Sequence, residues 1–291
     1  MYPVNSALPY FCGAMPLYIT ALNSGSNGNC YYIGNENEAV LVDAGISCRE
    51  TEKRMQRLGL QMSMVKAIFV SHEHSDHITG IPGLSKKFRL PVYITEATLQ
   101  AAAIPVEKQL VQNFLPHQPV SIGNLTVTGF PKCHDASDPH SFVISGNRVT
   151  VGVFTDIGNA CAHVIHHFSQ CHSAFLEANY CGDMLANGSY PYHLKKRISS
   201  GNGHLSNTQA LELFTRHRGK QLTHLILSHL SKNNNSPELV ERLFHKEANG
   251  TAIMVASRYH ETPVYCIAET AGIPAPAQNR SSDKHIQLSL F

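Results

Sequence analysis

The feature that most restricts this chain is the run His72-Glu73-His74-Ser75-Asp76-His77, directly behind the apolar stretch Lys66-Ala67-Ile68-Phe69-Val70. That stretch reads as a short buried strand, so the run occupies a strand-end loop that leads into a helix. Alternate residues His72 and His74 then face one way, and Asp76 and His77 another. Four potential ligands so arranged suit two neighbouring metal ions better than one. The competing reading is an exposed histidine-rich turn. Composition favours ligands: 18 histidines nearly match the 21 aspartates and glutamates combined, and histidine is the commonest metal ligand.

Such a run is specific only if later residues complete the ligand set. Here His134 in Lys132-Cys133-His134-Asp135, Asp156 in Phe154-Thr155-Asp156-Ile157-Gly158 and His229 in Leu227-Ser228-His229-Leu230-Ser231 each follow an apolar, strand-like run. Any one alone reads more simply as a satisfied polar group. Together, at strand ends, they read as the missing ligands.

The rest of the chain alternates. Strands are expected at 17–22, 30–33, 39–43, 66–70, 91–94, 120–129, 141–145, 149–155, 173–176, 223–228 and 251–255, and helices at 48–60, 80–88, 157–169, 207–217 and 236–247. Interleaved strands and helices with chemistry at strand ends describe a layered α/β sandwich. With 291 residues, 43% of them hydrophobic, one catalytic domain over 15–271 has ample core. Residues 1–14 read as an N-terminal extension. Residues 272–291 read as a flexible polar tail, opening with GIPAPAQNRSSDK.

A net charge of +2 excludes a polycation but leaves a nucleic-acid partner open. No apolar run approaches the roughly 18 residues of a membrane span. Residues 1–20 lack the basic start and unbroken apolar centre of a secretory signal. Eight cysteines without a C-x-x-C pair exclude a zinc ribbon and read as reduced thiols of a cytoplasmic protein.

Taken in order with Asp43 in Leu41-Val42-Asp43-Ala44-Gly45, these marks resemble the metallo-β-lactamase superfold over about residues 17–268. The resemblance implies an αββα sandwich of two mixed sheets flanked by helices. It implies that His72, His74 and His134 hold one divalent metal, that Asp76, His77 and His229 hold a second, and that Asp156 bridges them. Asp43 would orient a ligand histidine by a hydrogen bond. The ligand chemistry suits zinc or manganese alike. Two such ions acidify water and neutralise charge on an attacked phosphate or carbonyl, which implies a hydrolase without naming its substrate.

Three features point towards a phosphodiester. Glu177 closes the strand-like Ala174-Phe175-Leu176, and Gly203-His204-Leu205-Ser206-Asn207 opens a helix. The pair resembles that of ribonuclease Z-type nucleases, with His204 as general acid and Glu177 orienting it. Asp76, besides ligating, is expected to accept a hydrogen bond from the attacking hydroxide. His204 could instead merely cap the helix. The basic run Lys195-Lys196-Arg197 beside Tyr190 and Tyr192 suits a nucleic-acid backbone, although charge runs are often only solvated faces. The turn Ser24-Gly25-Ser26-Asn27-Gly28-Asn29 could cradle a phosphate, although hairpins use the same residues.

The blocks around Ser24–Cys30, Ser71–His77, Cys133–Ala136, Thr155–Gly158, Glu177–Tyr180, Gly203–Asn207 and Leu227–Asn234 resemble one branch more closely, the YycJ/WalJ-type proteins. That branch implies a metal-dependent deoxyribonuclease, a 5′→3′ exonuclease on duplex DNA serving mismatch repair or replication. On this basis Ser24, Ser26, Asn29, Asn179, Lys195, Lys196, Arg197, Asn207 and Lys232 are expected to meet substrate. Between Asp156 and His229 there is no insertion large enough for the cap domain of β-CASP nucleases.

The extreme C-terminus, Gln287-Leu288-Ser289-Leu290-Phe291, resembles the peptide by which bacterial repair proteins bind the DNA sliding clamp. A tethered glutamine followed by leucine and phenylalanine suits a polar contact beside an apolar pocket. Its alternation also suits an edge strand. Competing functions are an RNA-processing nuclease, a small-molecule ester or thioester hydrolase, and a clamp-tethered repair adaptor whose metal site is structural.

Overall fold

Several strands of this chain are apolar along their whole length, which requires cover on both faces. The computed structural model, which describes residues 16–269, shows what covers them. The first sheet contains β1 (Leu17–Asn23), β2 (Cys30–Gly34), β3 (Ala39–Val42), β4 (Val65–Phe69), β5 (Val92–Tyr93) and β6 (Val111–Gln112). The second contains β7 (Pro119–Ile122), β8 (Leu125–Pro131), β9 (His140–Gly146), β10 (Val149–Phe154), β11 (Ser173–Glu177), β12 (His224–Ser228) and β13 (Ala252–Val255). A last strand, β14 (Tyr265–Ile267), returns to the first sheet, giving two seven-stranded sheets in the orders β14-β1-β2-β3-β4-β5-β6 and β13-β12-β11-β10-β9-β8-β7.

Alternate residues of each strand serve different layers. Leu17, Ile19 and Ala21 of β1 and Val40 and Val42 of β3 meet Val149, Val151 and Val153 of β10 in the core between the sheets. The opposite faces, with Leu22 and Leu41 on one sheet and Phe154 and Leu176 on the other, are covered by helices. Helices α1 (Cys48–Arg57), α2 (Ser75–Ile78), α3 (Ile81–Phe88) and α4 (Glu96–Ala102) follow strands of the first sheet. Helices α5 (Ala162–Phe168), α6 (Gly182–Asn187), α7 (Tyr192–Ile198), α8 (Asn207–His217) and α9 (Pro237–His245) follow strands of the second. This is the expected αββα sandwich.

Both sheets are antiparallel at one side and parallel at the other: β3, β4, β5 and β6 run parallel, as do β10, β11, β12 and β13. Parallel strands end together, so the loops after β3, β4, β10, β11 and β12 collect at one rim of the sandwich, the usual place for ligands in such sheets.

Two expectations need correction. The strand expected at 120–129 is a hairpin, β7 and β8, turned at Gly123-Asn124 with Gly123 at φ 59°. The helix expected at 157–169 forms only over Ala162–Phe168, because Ile157 N–H donates to Glu177 and Gly158 N–H to the Cys133 carbonyl. Those residues brace the rim instead of continuing a helix. Residues 1–14 and the peptide Gln287–Phe291 lie outside the described residues.

Candidate active site

Three rim residues begin from an uncommon backbone. Asp43, Asp156 and His229 follow β3, β10 and β12 at φ 59°, 54° and 54°, in the left-handed region that aspartate and histidine tolerate better than most residues. Such conformations persist where surrounding contacts over-determine them. Asp43 accepts from Ser71 N–H and Ser71 Oγ, each at 2.8 Å, and Asn179 Nδ2 donates to the His229 carbonyl. Packing here leaves no slack. A Cβ on Gly45 would lie 1.6 Å from the Asp76 carbonyl oxygen, so only glycine lets the loop after β3 pass the start of α2.

The imidazoles are fixed through the ring nitrogen that faces away from the cluster. His77 Nδ1 donates to Asp43 Oδ2 at 2.7 Å; His72 Nδ1 donates to Ser71 Oγ at 2.9 Å, and that hydroxyl donates to the same carboxylate oxygen. His134 Nδ1 donates to the Gly203 carbonyl at 3.0 Å. His229 Nδ1 and His204 Nδ1 both donate to Glu177 Oε1, at 3.0 and 2.7 Å, while Glu177 Oε2 accepts from the N–H groups of Ile157 and Leu205. Each such bond orients its ring, and a ring that is neutral keeps a lone pair on the other nitrogen.

Those remaining atoms converge. His72, His74 and His134 form one group; Asp76, His77 and His229 form another; and Asp156 stands with His72 and His77 and also with His204, His229 and Glu177. Within each group the ligand atoms lie within 4.8 Å of one another. His72 Nε2 is 3.1 Å from His74 Nδ1, and Asp156 Oδ2 is 3.1 Å from His77 Nε2.

This donor set fits cations. Asp156 Oδ2 and His229 Nε2 are buried with no hydrogen-bond partner, a state that costs free energy unless something positive completes it. Four carboxylates, from Asp43, Asp76, Asp156 and Glu177, crowd the same volume. Burial opposes charge on His77 and His229, yet Asp156 and its neighbouring carboxylates outweigh it. They hold His77 well above the ordinary histidine range and push His229 up to about 10. Burial also opposes ionisation of Glu177, but His204 and His229 hold its carboxyl down at about 2. The other group behaves oppositely: burial keeps His72 well below the histidine range and lowers His134 to about 4, leaving neutral donor rings.

The residues expected at the substrate divide into two kinds. Ser26 is exposed and lines a cavity of about 400 Å³ that it shares with Asp76. Lys196 and Lys232 are exposed; Arg197 pairs with Asp135, next to His134; and Lys195 donates to the Ala186 carbonyl. Ser24 is buried against the site, with its hydroxyl accepting from His229 N–H at 2.8 Å. The asparagines are buried in the frame. Asn29 is spent on Asp76, His77 and the Gly25 backbone, Asn179 on the His229 carbonyl, and Asn207 on a reciprocal pair with Asn235. Buried amides with such partners build the frame. A strand-end rim has much backbone to tie down.

Two cations escaped the sequence reading. Lys132 is buried behind the site and donates to the Thr155 carbonyl at 2.7 Å, next to Asp156. Arg258, in the loop after β13, sits against the Ser24–Asn29 turn, where Asn27 Nδ2 donates to its carbonyl. The place of Lys132 directly before Cys133-His134 was a usable local signal; nothing local marked Arg258.

The domain model described as the beta-lactamase superfamily domain matches residues 38–229. Exodeoxyribonuclease YycJ of Bacillus anthracis is 32% identical over 255 residues, 85% of this chain and 96% of that protein. Exodeoxyribonuclease WalJ of Streptococcus pneumoniae is 31% identical over 223 residues, 75% of this chain and 83% of that protein. Among solved structures, the metallo-beta-lactamase fold protein YhfI of Bacillus subtilis superposes with a TM-score of 0.67 at 18% identity, covering 86% of this chain and 99% of its own. The chain belongs to the beta-lactamase superfamily, in the branch of the YycJ/WalJ-type proteins.

Proposed function

We propose that this chain is a metal-dependent deoxyribonuclease that degrades duplex DNA from its 5′ end in bacterial mismatch repair or replication. The observation that carries the reading is Glu177, whose Oε1 accepts from both His204 and His229. One carboxylate thereby couples a candidate proton donor to a candidate metal ligand, an arrangement suited to expelling an alkoxide. Relatives named exodeoxyribonucleases that match most of the chain support DNA as substrate.

His72, His74 and His134 would hold one divalent ion, Asp76, His77 and His229 a second, with Asp156 shared. Zinc or manganese there would supply Lewis acidity towards a phosphate ester and water. The chain's own groups do the rest. Asp43 holds His77 directly and His72 through Ser71. Asp76, partly open, can accept a hydrogen bond from the attacking water. His204, fixed through Nδ1, keeps Nε2 to protonate the leaving oxygen. Lys196 and Lys232 draw the DNA backbone to the rim.

We further assign residues 15–271 to the catalytic domain and residues 272–291 to a tether presenting Gln287–Phe291 to the sliding clamp in the cytoplasm. Deleting 287–291 should abolish capture by the clamp while cleavage of bare DNA continues; unchanged capture would contradict the assignment.

Substrate class is tested by giving the manganese-loaded protein DNA, RNA and a thioester in parallel, beside a His72→Ala/His74→Ala control. Turnover of DNA above the others, absent in the control, is expected. Preferential cleavage of RNA or the thioester would overturn the DNA reading.

A further inference from the structure

A second cavity, of about 300 Å³, shares a wall with the site. It is lined by Ser24, Ser231, Lys232, Ser257, Arg258 and His260 among others. Ser24 Oγ accepts from His229 N–H, and Leu230, also in the wall, directly follows His229, so the cavity begins where the ligand cluster ends. Its lining holds two permanent cations and four hydroxyls, and no carboxylate.

Arg258 is the informative group. Its Nη1 is buried with no hydrogen-bond partner, and among the described residues no carboxylate pairs with Arg258 or Lys232. A guanidinium nitrogen withheld from water without an acceptor is costly, and a ligand supplying one offsets that cost. The loop is also held in place beforehand. Ser24 N–H donates to the Ser257 carbonyl, Asn27 Nδ2 to the Arg258 carbonyl and Arg54 Nη2 to the Tyr259 carbonyl. Thr262 N–H donates to the Ala21 carbonyl, closing the loop against β1.

We propose that this cavity, with Arg258 and Lys232 as its cationic groups, receives the terminal phosphate of a nucleic-acid strand. This rests on the nuclease reading and deepens it. A terminal phosphomonoester carries about −1.5 to −2 charges at neutral pH and has a single substituent, so it can enter a pocket. An internal phosphodiester carries one charge and two substituents, and needs a through-groove. An end phosphate anchored beside His229 puts the first nucleotides of the strand over the metal cluster. End specificity follows from position, with no base contact required.

The test compares duplexes bearing a 5′-phosphate, a 3′-phosphate or only hydroxyl ends, cleaved by the full-length manganese-loaded protein. One phosphorylated end should raise kcat/KM about tenfold over hydroxyl ends, and the responding arm identifies which end is read. In Arg258→Gln, and separately in Lys232→Gln, that ratio should fall towards one, with partial recovery in Arg258→Lys. A wild-type ratio of one, or a full ratio in both glutamine variants, overturns the proposal. If no DNA is cleaved at all, the nuclease reading fails and calorimetry decides the pocket alone. Chelator-treated wild type should then bind deoxyadenosine 5′-monophosphate but not deoxyadenosine, and Arg258→Gln should lose that preference. Absent or unchanged nucleotide binding overturns the pocket too.

Discussion

The two ligand groups are built on opposite electrostatic principles. His72 and His134 lie where burial dominates, so their rings are kept neutral and offer lone pairs beside His74. His77 and His229 lie among carboxylates that overcome the same burial and hold a positive charge in place. The first group offers neutral rings to a cation; the second surrounds its histidines with negative charge. Asp156 belongs to both, and Asp43 reaches both, directly through His77 and through Ser71 to His72.

Removing what the groups share has the largest expected effect. Asp156→Ala should strip both ions and reduce activity to background, read by metal analysis beside the cleavage assay; a metal-replete, active variant would contradict the ligand assignment. Asp43→Asn keeps the shape but removes the charge. It should weaken metal binding about 10–100-fold, more at the group containing His77, which it touches directly. Equal losses at both would erase the distinction. His204→Ala should cut kcat about a hundredfold or more while metal content stays constant, whereas concurrent metal loss would make His204 a structural brace.

The comparison also predicts opposite pH slopes in the chelator-treated protein. His134, lowered to about 4, binds fewer protons folded than unfolded, so its contribution is lost as pH falls from about 6.5 to 4. His229, raised to about 10, binds more protons folded, so its contribution is lost as pH rises from about 6.5 to 10. Thermal midpoints should therefore peak near neutral pH, and His229→Gln should make the alkaline side shallower, with His77 keeping the remainder. A smaller effect is expected at the rim. Arg197→Ala breaks an exposed pair with Asp135 and should change stability by less than about 1 kcal/mol.

The sandwich was readable because both-face burial leaves long apolar runs, and because the His72–His77 run is local in sequence. Asp156 and His229 were readable because each directly follows such a run. The hairpin at Gly123-Asn124 was missed because polar and apolar residues alternate on both sides of its short turn. The framework bonds of Asn29, Asn179 and Asn207 were not readable: a sequence shows that an amide is polar but not that its partners are 2.8–3.1 Å away inside the frame. The sharing of Glu177 by His204 and His229, and the place of Arg258 beside Ser24, arise from strands far apart in the chain. Neither leaves a local pattern.

The most direct measurement is a time course on linear duplex DNA labelled at the 5′ or the 3′ end, with manganese or zinc added. The 5′ label should leave early as mononucleotide, the 3′ label late, and neither in the His72→Ala/His74→Ala protein. Metal-independent release, or no release from DNA by the metal-loaded protein, would contradict the metal-dependent exonuclease.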